Sequence, residues 1–339
     1  MNKVTVIVPV HNEAEVLRRL YDEVRNRTAG MKESTFSWIF VDDGSTDASL
    51  EVIREMAEAD RTVRYISFSR SFGKEAAIYA GLLHSASDLT ILMDADLQHP
   101  PELIPEMVRC VGGGEADACG AKRRASWISR SFTRLINAMS TVKIESGATD
   151  FMCMNRKFVD AVLSLSESQR FSKGLFAWVG FRVRWLDYRQ RPREAGRSKW
   201  NMRKLFLYAL DGLTGFSVVP LRIISAAGAV VCLLAILYIL VLIIRTLIRG
   251  IDVPGYVTTL VAVLFLGGVI LLSVGVLGDY IGRIFMESKK RPLFITDVTN
   301  IGNEETGHAE NAGSPKNNGK NQPGKETTEV AEKSESASS

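Results

Sequence analysis

Leu89-Thr90-Ile91-Leu92-Met93-Asp94-Ala95-Asp96-Leu97-Gln98-His99-Pro100-Pro101-Glu102 begins as a short β-favouring run and breaks into two carboxylates one residue apart, ahead of two prolines. It reads as a strand over residues 89–93, followed by a helix that Pro100 and Pro101 open. Two carboxylates spaced in this way at a strand end point to the same side and repel each other unless something neutralises them. A hard divalent cation does this with oxygen ligands and can bridge to phosphate groups; Mg²⁺ or Mn²⁺ fits, and Gln98 on the same face offers a further oxygen. The competing reading is a solvated Asp-rich turn.

The same alternation runs backward to the start of the chain. Residues 4–8 form a strand that Pro9 ends, and Asn12 is placed to cap a helix with Val16, Leu17, Leu20, Tyr21 and Val24 at helical spacing. Residues 38–41 form a second strand, followed by DDGSTD and a helix through Leu50, Ile53 and Met56. Residues 63–68 form a third, followed by a helix from Lys74 to about Ser85. Repeated βα units predict a parallel sheet covered by helices.

Ligands of such open sheets bind beyond the carboxyl ends of the strands. Three polar clusters fall there: Pro9-Val10-His11-Asn12-Glu13, Asp42-Asp43-Gly44-Ser45 and Asp94-Ala95-Asp96. Either of the first two, taken alone, reads equally well as a turn or cap; three at one edge point to a site. A glycine-rich phosphate loop is missing, since Gly112-Gly113-Gly114 follows a helix and Gly73-Lys74-Glu75 lacks the Ser or Thr of a P-loop. Phosphate would fall to a metal and to cations, with Arg193, Arg197 and Lys199 in RPREAGRSKW, or Lys122, Arg123 and Arg124, available. Such groups also serve as plain solvated surface.

The 339 residues average out as a soluble protein, 46% hydrophobic and 24% charged, with mean hydropathy +0.05. Their distribution does not. No charge occurs in the 22 residues between Arg222 and Arg245, or in the 26 between Asp252 and Asp279. Helices over about 223–244 and 257–277 would each cross a bilayer core of ~30 Å. Residues 201–221 are amphipathic, and a juxtamembrane helix at the bilayer surface is preferred there to a core helix. Lys and Arg flank the outer ends of both spans, while the link holds only Arg245 and Arg249. This puts the 1–200 domain and both termini in the cytosol, on a two-span protein of the cell membrane. The opening residues are too short an apolar run for a signal peptide. Residues 300–339 are too polar to build a core and read as a disordered cytosolic tail. A net charge of +4 and a pI near 8.8 are too mild for a nucleic-acid partner. Four cysteines without CxxC pairing argue against a disulfide or zinc framework.

VIVPVHNE, FVDDGSTD, SFSRSFGKEAA, LMDADLQHPPE, GATDFMCMNRK and RPREAGRSKW, in that order and ahead of two spans, resemble the polyprenyl-phosphate glycosyltransferases of glycosyltransferase family 2. The resemblance covers about residues 3–290. It implies an α/β fold of GT-A type and an inverting hexosyltransferase that moves a single sugar from a nucleotide sugar to a polyprenyl phosphate such as undecaprenyl phosphate, for cell-envelope glycan modification. It places Pro9, Glu13, Asp42 and Asp43 at the nucleotide, and Asp94, Ala95, Arg193, Arg197 and Lys199 around the sugar diphosphate. Asp94, Asp96 and Gln98 fall at a Mg²⁺ or Mn²⁺ ion, and Asp150 beside the acceptor as base or positioner. Ser71 and Met152 depart from the family's usual Asn and Arg, and His11 from a common Tyr. UDP-glucose is the first choice of donor, UDP-N-acetylglucosamine the second, with GDP-mannose and a homo-oligomer left open. Rival readings are a polysaccharide or protein acceptor, and a non-catalytic partner of a sugar flippase.

Overall fold

The computed structural model describes residues 1–123, 143–167, 170–189 and 255–302, with scattered helical positions between 130 and 137 and between 224 and 248. In chain order these form β1 (Asn2–Val10), α1 (Ala14–Thr28), β2 (Ser34–Asp42), α2 (Ser49–Ala59), β3 (Val63–Phe68), α3 (Lys74–Leu83) and β4 (Leu89–Leu92). A 3-10 turn (Pro101–Leu103) leads into α4 (Ile104–Gly112), β5 (Ala118–Arg123), β6 (Ala148–Asn155), α5 (Arg156–Leu163), α6 (Ser172–Trp178), β7 (Val183–Tyr188), α7 (Tyr256–Ser288) and β8 (Thr296–Thr299).

One sheet of order β7-β5-β6-β4-β1-β2-β3-β8 holds the molecule together. Its centre, β4-β1-β2-β3, is parallel, as the repeated βα pattern predicts. β5 and β7 are also parallel to each other, whereas β6 runs antiparallel to both of its neighbours. The central strands are apolar on both sides because both faces are covered. Val4, Val6, Val8 and Val10 of β1 meet α1, α2 and α4 in one layer, and Ile7 meets α3, α5 and α6 in the other. Each such aliphatic side chain contributes roughly 1.5–3 kcal/mol on burial. α3 lies so close to β1 that a Cβ on Gly81 would stand 2.3 Å from Ile7 Cγ2.

The structure departs from the sequence expectations in three places. Asn12 does not cap α1. Its backbone is left-handed (φ 58°), its Oδ1 accepts from Thr46 N at 2.8 Å, and Glu13 holds the cap position. The exposed amides at the start of α1 are served from the neighbouring loop, where Ser49 Oγ accepts from Glu13 N and Asp47 Oδ2 from Ala14 N. A strand that the sequence pattern did not predict also stands just ahead of the expected tail. β8 adds to β3 from beyond the apolar helix, and Asn300 Oδ1 accepts from Tyr65 N at 2.8 Å. Ile301 is buried. The 1–200 domain therefore takes its edge strand from residues 296–299, and residues 303–339 lie outside the described residues.

The third departure concerns the spans. α7 passes the expected end at 277 and continues to Ser288. Its 33 residues measure about 50 Å, and it contains the one helix among the described residues, over Phe265–Ser288, that is long and apolar enough to cross a membrane. Phe265, Leu271, Val274, Ile281 and Ile284 are all exposed on it. An apolar surface of that extent calls for lipid or protein around it. The amphipathic segment at 201–221 lies outside the described residues; in the first expected span every described position is helical.

Candidate active site

The loops at the carboxyl edge of β1, β2 and β3 are tied together by two buried aspartates. Asp42 Oδ1 accepts from Ser45 N at 3.1 Å, and Oδ2 accepts from Ser67 Oγ at 2.8 Å. Asp43 accepts from Ser71 Oγ at 2.8 Å, Phe72 N at 2.6 Å and Gly73 N at 3.0 Å. Gly44, between these loops, has φ +60°, and a Cβ there would lie 2.5 Å from the carbonyl carbon of Arg70. His11 Nδ1 pairs with the Asp43 carbonyl at 2.9 Å. The expected nucleotide-side residues Pro9, Glu13, Asp42 and Asp43 thus share one edge, but the Asp42 side chain is occupied by Ser45 and Ser67, and that of Asp43 by the β3–α3 loop.

The loop after β4 is built differently. Ala95 and Leu97 are buried, while Asp94, Asp96 and Gln98 are only half-buried, so the three expected metal-side residues fall on the open side of the loop. Leu97 is held at φ 58°, a conformation unfavourable for a branched side chain and one that collects at functional sites. Asp96 Oδ1 accepts from Gln98 N at 3.2 Å. Behind the loop, buried His99 stacks on Phe151, 5.1 Å between centroids, and its Nδ1 accepts from Asp94 N at 3.3 Å. Burial keeps the His99 pKa low despite the nearby Asp94 and Asp96 charges, so the ring is the neutral tautomer that such an acceptor requires.

Asp150 reaches this loop through strand register. β6 pairs antiparallel with β4, Leu89 against Asn155 and Leu92 against Met152. Continuing by two residues sets Asp94 opposite Asp150. Lys74, the first residue of α3, places its Nζ 2.6 Å from Asp94 Oδ1 and 2.6 Å from Asp150 Oδ2. Burial works against the lysine's charge, but the two carboxylates win and hold it protonated well above the usual lysine range. Burial likewise works to raise Asp150, yet Lys74 and then Lys173 outweigh it and bring the carboxyl down to about 2. The repulsion expected at the D-x-D loop is thus relieved at Asp94 by a lysine. Sequence reading noted Lys74 only as a failed P-loop residue. The clue was its place: β3 ends at the same sheet edge as β1, β2 and β4.

Among the described residues no group of three or more His, Cys, Asp and Glu side chains could hold a metal. Mg²⁺-type sites need no such cage, since one or two carboxylates with substrate phosphates and waters complete them. Asp94 and Asp96, on the open side of a strained loop, fit that pattern. Arg193, Arg197 and Lys199 lie outside the described residues.

Residues 5–163 match glycosyl transferase family 2, and residues 219–284 match the GtrB C-terminal hairpin. The glycosyltransferase CsbB of Bacillus subtilis (strain 168) is 40% identical over 308 residues, spanning 89% of this chain and 93% of that one. The SfII prophage-derived bactoprenol glucosyl transferase of Shigella flexneri is 41% identical over 313 residues, spanning 89% of this chain and 99% of that one. A mannosyltransferase of Pyrobaculum calidifontis, solved with GDP-Man and Mn²⁺, superposes at a TM-score of 0.44 and 17% identity, covering 80% of this chain and 87% of that one.

Proposed function

The chain belongs to glycosyl transferase family 2 and is a glycosyltransferase, and from that premise we propose that it moves one sugar, glucose by preference, from a nucleotide sugar to undecaprenyl phosphate at the cytosolic face of the cell membrane. The observation that carries this reading is the single ammonium shared by Asp94, on the donor-side loop, and Asp150, on the strand that borders it. A group placed there can touch a departing diphosphate and an arriving phosphate at once. The Shigella relative, a bactoprenol glucosyl transferase by name, supports the choice of acceptor and sugar. The apolar α7 supports the membrane location.

Asp94 and Asp96, with Gln98 beside them, would hold Mg²⁺ or Mn²⁺, which when bound supplies positive charge to a leaving diphosphate. Asp42 and Asp43 shape the nucleotide pocket through the loops they tie, with Pro9, Glu13 and Ala95 along its wall. Arg193, Arg197 and Lys199 add cations for the diphosphate. Asp150, with a pKa near 2, is a carboxylate at neutral pH and a weak proton acceptor. The acceptor needs no strong base, because the second pKa of a phosphate monoester is ≈ 6 and the dianion is already the nucleophile. A phosphate oxygen forms its bond to the anomeric carbon as the bond to the nucleotide diphosphate breaks, with inversion and no covalent enzyme intermediate. Asp150 serves this step by holding Lys74 between the two phosphates.

The test is transfer by the full chain in lipid nanodiscs, with undecaprenyl phosphate and UDP-glucose, UDP-N-acetylglucosamine or GDP-mannose, read as lipid-linked hexose by mass spectrometry. Hexosyl transfer from UDP-glucose that stops in excess chelator and returns with Mg²⁺ is expected. Undiminished transfer in chelator would remove the metal from the reading, and donor hydrolysis without lipid product would remove the acceptor.

A further inference from the structure

A cavity of about 420 Å³ opens on the α6 side of the sheet, where the residues leading into β6 come up against α6 and β7. Its apolar wall is Met152, Phe176, Phe181, Val183 and Trp185. Among the described residues its cations are Lys143 and Lys173, while Glu145 at the rim is matched by Lys122 at 2.9 Å. The volume falls within the roughly 300–1,000 Å³ of small-ligand sites.

Two features show that the cavity is built into the fold. Gly120 of β5 lies under the Trp185 ring, and a Cβ there would stand 2.5 Å from Trp185 Cζ3 and 3.0 Å from Met152 Cε. The missing side chain is what lets the indole lie against the sheet as a wall. The position of Lys173 is also set. Its neighbour Ser172 gives its backbone N–H to Glu75 Oε2 at 2.9 Å and donates its hydroxyl to the same oxygen. Glu75 follows Lys74, whose Nζ bonds Asp150. One turn of α3 therefore delivers Lys74 to the reaction centre and anchors the start of α6, which brings Lys173 to the cavity on the Asp150 side. Asp150 registers the charge of Lys173 next after that of Lys74.

We propose that this cavity seats the head of the acceptor, with Lys173 receiving its phosphate and the aromatic wall taking the first isoprene units. The proposal rests on the polyprenyl-phosphate reading above. A phosphate dianion needs cations, and Lys173 and Lys143 stand where an apolar chain can enter behind them. Lysine serves such a group as a point charge on a flexible stem. The wall selects an isoprenoid phosphate over free phosphate or a sugar hydroxyl, because only an apolar tail gains by leaving water there. The remainder of the tail stays in the bilayer.

The test uses the full chain in nanodiscs, with farnesyl phosphate and undecaprenyl phosphate as acceptors and inorganic phosphate as competitor. Lys173→Gln should raise the acceptor KM by about tenfold or more, as expected for loss of a charge-assisted contact, with the donor KM moving less than about twofold on the same scale. Lys173→Arg should recover most of that loss, which a merely structural lysine would not require. Ala177→Trp, which fills the cavity, should weaken farnesyl phosphate by a similar factor and leave inhibition by inorganic phosphate unchanged. The seat is overturned if folded Lys173→Gln and Ala177→Trp both keep the acceptor KM of the parent, or if the donor KM moves as far as the acceptor KM. Calorimetry of farnesyl phosphate binding separates the two readings. Transfer by the parent chain with binding unmoved by either variant overturns the seat alone. Binding that weakens in both variants of a chain that transfers nothing upholds the seat and overturns the activity.

Discussion

At the end of β2, Asp42 and Asp43 accept from amides and hydroxyls of the β2–α2 loop, of β3 and of the β3–α3 loop, whereas Asp94 after β4 and Asp150 in β6 share one ammonium. The first pair is 1% and 5% exposed; the side chains of the second are 26% and 16% exposed. All four lie at one edge of one sheet. A carboxylate whose lone pairs are filled by backbone amides is part of the frame, because freeing it means opening the loop. A carboxylate held by the tip of a lysine can exchange that tip for a cation or turn it toward a phosphate while the frame stays intact. The comparison separates carboxylates that tie loops together from carboxylates that share a side-chain cation, although they are the same amino acid in similar sequence settings.

The sharpest way to break this comparison is to replace one member of each pair. Asp94→Asn should lower kcat/KM for transfer by about 10²–10³-fold, the usual loss when a preorganised charge at a reacting centre is removed. Its melting temperature should stay near that of the parent, since no buried amide loses a partner. Asp43→Ala should do the reverse in kind. It strands the amides of Phe72 and Gly73, so thermal or urea unfolding should show a loss of about 3 kcal/mol, with activity falling only as the fold does. Equal destabilisation by both variants would erase the distinction.

The smallest effect is in acid. The Asp150 carboxyl lies below its ordinary value, so the stability it contributes is complete above about pH 4 and is lost as the pH falls toward 2. Melting curves of the parent and Asp150→Asn should converge across that window and run parallel from pH 5 to 7. A gap that widens on acidification would mean that the Lys74 contact does not stabilise the folded carboxylate.

Much of this site could be read from residue order. The β-favouring runs at 4–8, 38–41, 63–68 and 89–93 all became central strands, and their polar ends came to one edge. What was misread depended on partners far away in the chain. Asn12 has the composition of a helix cap, but the nearby loop at 45–49 offered better-placed oxygens, and the asparagine turned outward to bind Thr46. β8 was hidden because Phe294-Ile295-Thr296-Asp297-Val298-Thr299 is a short alternating run after a long apolar helix. It gains strand structure only by pairing with β3 and stacking Phe294 on Phe68 at 4.9 Å. His99 was part of a quoted motif without a role, because stacking on Phe151 and accepting from Asp94 N both require the folded loop.

Sequence alone settled the parallel αβ layering, the edge at which the carboxylates collect and the presence of a membrane-length apolar helix. Those properties follow from periodicity and local composition, which report how each segment meets water. Tertiary structure alone decided which carboxylates share a lysine. The antiparallel register of β6 on β4 carries Asp150 to Asp94 across 56 residues of chain, and the start of α3 drops Lys74 between them. Register is set by packing of both sheet faces at once, and a sliding window along the chain senses only one segment at a time.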